Sequence, residues 1–309
     1  MFPTKLLVLD KEEPMHQPRA LVTGLSSSLA LGIALELRNL GFHVVGVTRH
    51  RSRDLEIAQE EVNWMDPSDW KRESFDAPFD FVFHGAAQRP GVTQFSHFEI
   101  NYEIPLAFFS QIRLFPWTKF VFSSTTSVYT PRVGEMINES TDPIPKDEYA
   151  MSKLAFENEI SSVLLSRGSA GHALILRIPT LLGRNVSRNL VHRWCEAVLD
   201  GSPIRVTNPD DKFDALVSEN DLVRRIAYEL GRQETFKYIV NCHTNGDVSI
   251  LESARLVSHF FQGLPPITIE DSTSIPTHLT NQSEDWFTDI STAASLKNYL
   301  MALKFPLQG

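Results

Sequence analysis

Residues 21–32 read LVTGLSSSLALG. A short apolar run enters Thr23-Gly24, a serine run follows, and a helical pattern then begins. A strand that turns straight into a helix offers free backbone N–H groups and the positive end of a helix dipole to a phosphate. Such turns usually carry three glycines: one for the tight turn, one for close backbone approach and one for helix–strand packing. Gly24 keeps the first role. Ser27 or Ser28 holds the second, depending on the pattern applied, and Ala30 holds the third. Ser and Ala are the least bulky replacements. A serine hydroxyl can also donate to a phosphate oxygen or cap the helix. Taken alone, the turn reads equally well as a plain capped helix start.

The flanking sequence favours the phosphate turn. Strand-like runs recur at 20–24, 43–48, 79–86, 119–124 and 173–178, with helical patterns from 29, over 97–112 and over 149–166. Strands alternating with helices of this length predict βαβ units. The runs FVF (81–83) and ALILRI (173–178) are continuously apolar, as central parallel strands are. Gly41 reads as the stop of the first helix. The fold class expected is α/β: a doubly wound parallel sheet of Rossmann type, followed by a smaller, irregular C-terminal α/β substrate-binding region. Residues 1–18 read as an N-terminal extension and 19–179 as a dinucleotide-binding domain, with a returning strand near 237–241. Residues 180–309 read mainly as the substrate-binding region.

Composition excludes several classes. The chain has 309 residues, 42% hydrophobic and 22% charged, ordinary for a globular protein. Its formal net charge of −9 argues against a nucleic-acid binder that neutralises phosphates. Two cysteines, Cys195 and Cys242, without CxxC spacing predict neither a disulfide framework nor a thiolate zinc site, and no metal site is expected. No window reaches about 18 uncharged apolar residues, so a cytoplasmic protein without membrane contact is expected.

The second strand ends in Thr48-Arg49-His50-Arg51. An acidic residue there would bind a ribose 2′-hydroxyl, whereas Arg49 and Arg51 suit a 2′-phosphate, so NADP is favoured over NAD. The chemistry is carried by Tyr149-Ala-Met-Ser-Lys153. Of six tyrosines, Tyr149 alone has Lys four residues on, which puts both side chains on one helix face. A phenol with a pKa near ~10 is a poor base at neutral pH, and a nearby ammonium favours the phenolate. Such a Tyr can pass a proton to or from a substrate oxygen while hydride moves to or from a nicotinamide. The hydroxyl cluster Ser123 to Ser127 lies at the carboxyl end of a central strand, where Ser124 and Thr125 are candidate substrate ligands.

In chain order, TGxxxxxA, HGAA (84–87), FVFSSTTSVY (120–129), YAMSK (149–153) and LRIPTLLG (176–183) resemble the extended short-chain dehydrogenase/reductase superfamily. More narrowly they resemble its NAD-dependent epimerase/dehydratase group, which acts on nucleotide sugars. The similarity runs from about residue 19 to the late 240s. It implies Tyr149 as catalytic base and acid, with Lys153 lowering its pKa and bonding the nicotinamide ribose. Thr125 would bond the reacting oxygen. Gly24, Ser27 (Ser28 in the more compact pattern) and Ala30 would line the pyrophosphate, Asp66 would meet the adenine, and Ala86 and Ala87 would pack beside the cofactor. Asn101 matches a family Asn of structural role. The resemblance also implies a homodimer through helices 97–112 and 149–166, the second with an apolar set at Met151, Leu154, Ala155, Ile160, Val163 and Leu164.

Departures from the family pattern shape the functional reading. Arg177-Ile-Pro-Thr180 stands where Arg-x-x-Asn is common, leaving Thr180 as a substrate-side candidate. Asp214 stands where relatives place an arginine that clamps the substrate diphosphate, and a carboxylate there is repulsive. Arg184, Arg188, Arg193 and Arg205 are alternative clamps. Thr125-Thr126-Ser127 replaces the Thr-Asp-Glu of dehydratases, which disfavours dehydration. The expectation is an NAD(P)-dependent oxidoreductase on a nucleotide-linked sugar, slightly favoured as a ketoreductase. The alternatives are an epimerase with tightly held NAD or a non-catalytic dinucleotide sensor.

Overall fold

A computed structural model of the chain describes residues 17–48, 57–63, 66–88, 95–131, 135–166, 173–183, 189–231, 237–262, 265–270, 278–280 and 290–303. The first half runs Arg19–Thr23 (β1), Ser28–Asn39 (α1), His43–Thr48 (β2), Ala58–Glu61 (β3), Glu73–Asp76 (α2), Phe79–His84 (β4), Ile104–Gln111 (α3), Leu114–Thr125 (β5), Met136–Ile137 (β6) and Glu148–Ser166 (α4). The second half runs Ala173–Ile178 (β7), Thr180–Leu182 (β8), Leu190–Leu199 (α5), Ile204–Val206 (β9), Leu216–Ser218 (β10), Glu219–Leu230 (α6), Lys237–Asn241 (β11), Ile250–Phe260 (α7), Ile267–Ile269 (β12), His278–Leu279 (β13) and Thr292–Ala302 (α8).

Seven parallel strands form the central sheet in the order β11-β7-β5-β4-β1-β2-β3. The order reverses between β1 and β4, so the switch-point crevice opens at their carboxyl ends. Alternate residues of each strand face opposite layers. Ala20 and Val22 pack with α1 and α6 through Ala30, Ile33, Leu222 and Ile226. Leu21 faces the other layer, where Phe108 and Phe109 of α3 meet Phe156, Ile160 and Leu164 of α4. Ile160 and Leu164 therefore belong to the core, and of the apolar set on α4 only Met151 is exposed, at 41%. A separate core joins α5, α7 and α8 around Trp194, Val257 and Leu296. Both cysteines are buried and free. Among the described residues no helix is long and apolar enough to cross a membrane.

One strand differs from its expected bounds. β5 starts at Leu114, five residues before the expected 119, and crosses Pro116. The pairing with β4 shifts register between Phe79 and Phe81, which jump from Leu114 to Lys119 on the partner strand. That irregularity accommodates the proline, which cannot donate to a ladder.

Candidate active site

The opening turn is built around Gly24. Its φ is +78°, and a Cβ there would lie 2.7 Å from the Ala86 nitrogen and from the Gly85 carbonyl carbon. The close approach stitches the ends of β1 and β4 together. Gly85 N–H donates to the Thr23 carbonyl at 3.2 Å, and Ala86 N–H donates to Thr23 Oγ1 at 3.3 Å. Below this, His84 Nδ1 lies 2.7 Å from Thr23 Oγ1. Burial, then the Lys153 charge, holds the His84 imidazole well below its ordinary pKa, so it is neutral.

Ser27 is the N-cap of α1, accepting from Ala30 N–H at 3.2 Å. Its own N–H donates to the Gly24 carbonyl at 2.9 Å. The residue standing in for the second glycine therefore closes the turn by capping. Ser28 opens the helix, and its hydroxyl donates to the Glu219 carboxylate. Ala30 is wholly buried against the sheet. Its methyl fits the close-packed third position.

Ala86 is half-buried and Ala87 exposed at the crevice. Asn101, fully buried, holds this segment from below. It accepts from Gln88 N–H at 2.7 Å and donates to the Gln88 carbonyl at 3.1 Å and to Ser152 Oγ at 3.4 Å. Asp66 is exposed and caps the turn Pro67–Trp70, accepting from Ser68 N–H at 2.9 Å and Ser68 Oγ at 2.7 Å. Arg49 and Arg51 lie outside the described residues, as do Arg184 and Arg188. Arg205 sits on β9 and pairs with Glu270 at 3.0 Å, 74% exposed.

The helix α4 brings Tyr149 and Lys153 to the end of β5. Lys153 Nζ donates to the Ser123 carbonyl at 2.8 Å and lies 4.7 Å from the centre of the Phe122 ring. It lies 6.0 Å from the centre of the half-buried Tyr149 ring. Lys153 itself is 3% exposed. Burial lowers its ammonium to about 7, opposed by the Glu157 carboxylate. On its other side Tyr149 meets the His97 ring edge-on at 5.8 Å. Thr125 closes β5 and caps the turn Thr126–Val128, accepting from Ser127 N–H at 3.1 Å. That turn packs directly on α4.

Ser124 is otherwise engaged. It is buried, and its hydroxyl donates to Glu157. Glu157 also holds Arg177, whose Nη2 lies 2.6 Å from Oε2. Arg177 Nη1 donates to Tyr129 Oη at 2.5 Å, and Tyr129 donates to Asn241 Oδ1 at 3.0 Å. This chain ties α4 to β5, β7 and β11 beneath the Tyr149–Lys153 pair. Sequence reasoning missed Glu157, although it lies one further turn along the Tyr149–Lys153 face. Thr180 is half-buried on β8, its N–H donating to Ala215 at 3.3 Å. Asp214 is buried, with Oδ2 3.5 Å from His278 Nδ1.

The structure as a whole is similar to solved epimerases. The UDP-glucuronic acid 4-epimerase of Bacillus cereus, in complex with NAD, is 19% identical, with 93% of this chain and 100% of that chain covered and a TM-score of 0.70. The UDP-glucose 4-epimerase of Thermotoga maritima with UDP-glucose is 18% identical, covering 92% and 97%, with a TM-score of 0.72. The Thermus thermophilus UDP-glucose 4-epimerase complex with NAD is 22% identical, covering 92% and 99%, with a TM-score of 0.69. At these identities the likeness shows the fold. A comparison with curated proteins gave no match. A family model described as the NAD dependent epimerase/dehydratase family matches residues 20–242, well over half of the chain, and the chain belongs to that family.

Proposed function

We propose that the chain is an NAD-dependent epimerase acting on a nucleotide-linked sugar. The observation that carries this reading is Lys153: a buried ammonium anchored to Ser123 beside the Tyr149 ring, at the carboxyl end of a central strand. A sensor needs no proton relay of this kind. The cofactor fits the crevice on one observation. Gly24, at φ +78°, turns the chain directly from β1 into α1, so the N-terminus of α1 stands at the carboxyl ends of β1 and β4, where a helix end favours a pyrophosphate. Gly24 and Ser27 would line it, with Ala30 packing the helix onto the sheet beneath and Ala86 and Ala87 alongside.

Bound there, the nicotinamide would supply a hydride acceptor and donor for the sugar carbon. Tyr149 takes the proton of the reacting hydroxyl and returns it. Lys153 stabilises the phenolate by charge. Thr125, whose hydroxyl donates to Ser127 Oγ at 3.1 Å, would turn it to the same oxygen. The expected tilt toward NADP and net reduction rests on Arg49 and Arg51. Two of the similar structures are complexes with NAD, which supports epimerisation over ketoreduction.

The test is the purified full chain. Epimerisation of a UDP-sugar without net change in nicotinamide absorbance is expected. Stoichiometric NADPH oxidation with a 4-keto-sugar would overturn the epimerase reading. No binding of either dinucleotide below millimolar concentration would overturn the enzyme reading.

A further inference from the structure

The contact between Ser28 and Glu219 lies at the end of α1 that the dinucleotide reading reserves for a pyrophosphate. Ser28 is the first residue of α1, next to its cap Ser27. Its hydroxyl donates to Glu219 Oε1. Glu219 is the first residue of α6, with Ser218 as that helix's N-cap. The two helices pack side by side through Ala30, Ile33, Leu222 and Ile226 on one face of the sheet. The Glu219 carboxylate is also wedged against Gly183, where a Cβ would overlap it. So a carboxylate from the far half of the chain is held by three elements at the start of the phosphate turn.

A carboxylate is itself a good ligand for a helix N-terminus, because the dipole and the free N–H groups favour any anion. Here the carboxylate engages that end of α1 through the Ser28 hydroxyl. Two anions at one helix end repel, and each weakens the hold on the other. Ser28, the phosphate-side serine of the more compact pattern, is meanwhile bonded to the carboxylate.

We infer that Glu219 is an internal competitor for the dinucleotide pyrophosphate at the start of α1, and that it limits cofactor affinity through Ser28. The inference rests on the dinucleotide reading proposed above. It also gives the serine-rich turn a purpose: Ser28 supplies the hydroxyl that holds the competitor in place.

The test is calorimetric titration of NAD into the full chain, freed of co-purified nucleotide, at low and at high salt. Glu219→Gln keeps the shape and a hydrogen-bonding oxygen but removes the charge. It should bind NAD about three- to tenfold more tightly than the wild type at low salt. The gain should shrink at high salt, where repulsion is screened. Glu219→Asp, which keeps the charge, should gain less than about twofold. Ser28→Ala provides an independent arm, since Ser27 still caps the helix. Its hydroxyl holds the Glu219 carboxylate in place, so its loss should raise NAD affinity by about two- to threefold. A Glu219→Gln protein that melts with the wild type and binds NAD no more tightly overturns the inference alone. So does a loss of about tenfold in Ser28→Ala. If the wild type and every variant fail to bind NAD and NADP, the dinucleotide reading falls and the inference with it.

Discussion

The Lys153 ammonium sits 6.0 Å from the centre of the Tyr149 ring and is held 2.8 Å from the Ser123 carbonyl oxygen. One cation thus lies between the strand end and the phenol ring. Its burial lowers its pKa from 10.5 to about 7, despite Glu157. The unfolded chain then binds the extra proton between about 7 and 10.5, so stability rises with pH across that window. Below about 7 the charged form persists in the fold and its desolvation cost is fully felt. Lys153→Met removes the titration. The wild type should therefore gain stability relative to Lys153→Met as pH climbs from about 7 toward 10.5 in urea melts. A difference that stays flat across that range would remove the case for a perturbed Lys153.

Tyr149→Phe deletes one oxygen from a half-buried ring that packs against His97 and leaves the rest of the site in place. Turnover of an accepted UDP-sugar should drop by about 10²-fold or more, with NAD affinity preserved. Initial rates paired with NAD titration read both quantities. A Phe variant with wild-type turnover would displace Tyr149 from the proton relay.

Much of this arrangement was legible in the sequence, and the exceptions have physical reasons. The central strands announce themselves as apolar runs, and Tyr149 and Lys153 by their spacing. β5 runs back to Leu114, beyond the expected 119, through Pro116, which a register shift against β4 absorbs. Strands β6, β8, β10, β12 and β13, two or three residues each, are too short for any period to show. Ser124 was read as a substrate ligand because it stands in a hydroxyl cluster, but Glu157 takes its hydroxyl. Glu157 carries no signal in the sequence, because its burial depends on Arg177 arriving from another strand. Glu219 and Ser28 stand 191 positions apart, and no local pattern joins them.

Gly24→Ala tests the close approach of β1 to β4. The new methyl would meet the backbone of Gly85 and Ala86 at 2.7 Å, and the φ of +78° disfavours any side chain. Backbone cannot yield as a side-chain tip does. The expected cost is about 2–4 kcal/mol in urea unfolding, from overpacking plus the left-handed conformation. NAD binding should weaken as well. A variant that unfolds with the wild type would mean that the turn relaxes freely.

The Glu157–Arg177 pair is buried on both sides, with side chains 2% and 3% exposed. Desolvation opposes the Arg177 charge, but the bonds and charge of Glu157, then Tyr129, outweigh it and raise its pKa. Glu157→Ala strands that guanidinium and should cost about 3–5 kcal/mol. Removing both charges in Glu157→Leu/Arg177→Met should recover more than half of the loss, since apolar replacement of a buried pair is often neutral. Equilibrium unfolding of the two proteins decides it, and a single variant costing less than about 1 kcal/mol would show the pair to be solvated.

Asp214 carries a pH dependence of the opposite sense to an ordinary ion-paired carboxylate. It is buried, Oδ1 has no hydrogen-bond partner among the described residues, and Oδ2 faces His278 Nδ1 at 3.5 Å. Burial raises its pKa above 3.8, with His278 and then His243 opposing. The folded protein then holds the proton to higher pH than the unfolded chain does. Stability is fully present below 3.8 and falls as pH rises through the raised folded value. At neutral pH the group is a net cost to the fold, which Asp214→Asn removes. The Asn variant should melt above the wild type at pH 7, and the gap should close as the pH falls toward 3.8. Thermal melts across this range read the sign directly. An Asn variant that melts lower at neutral pH would show that the His278 pairing outweighs desolvation, and that Asp214 is held charged as part of the site.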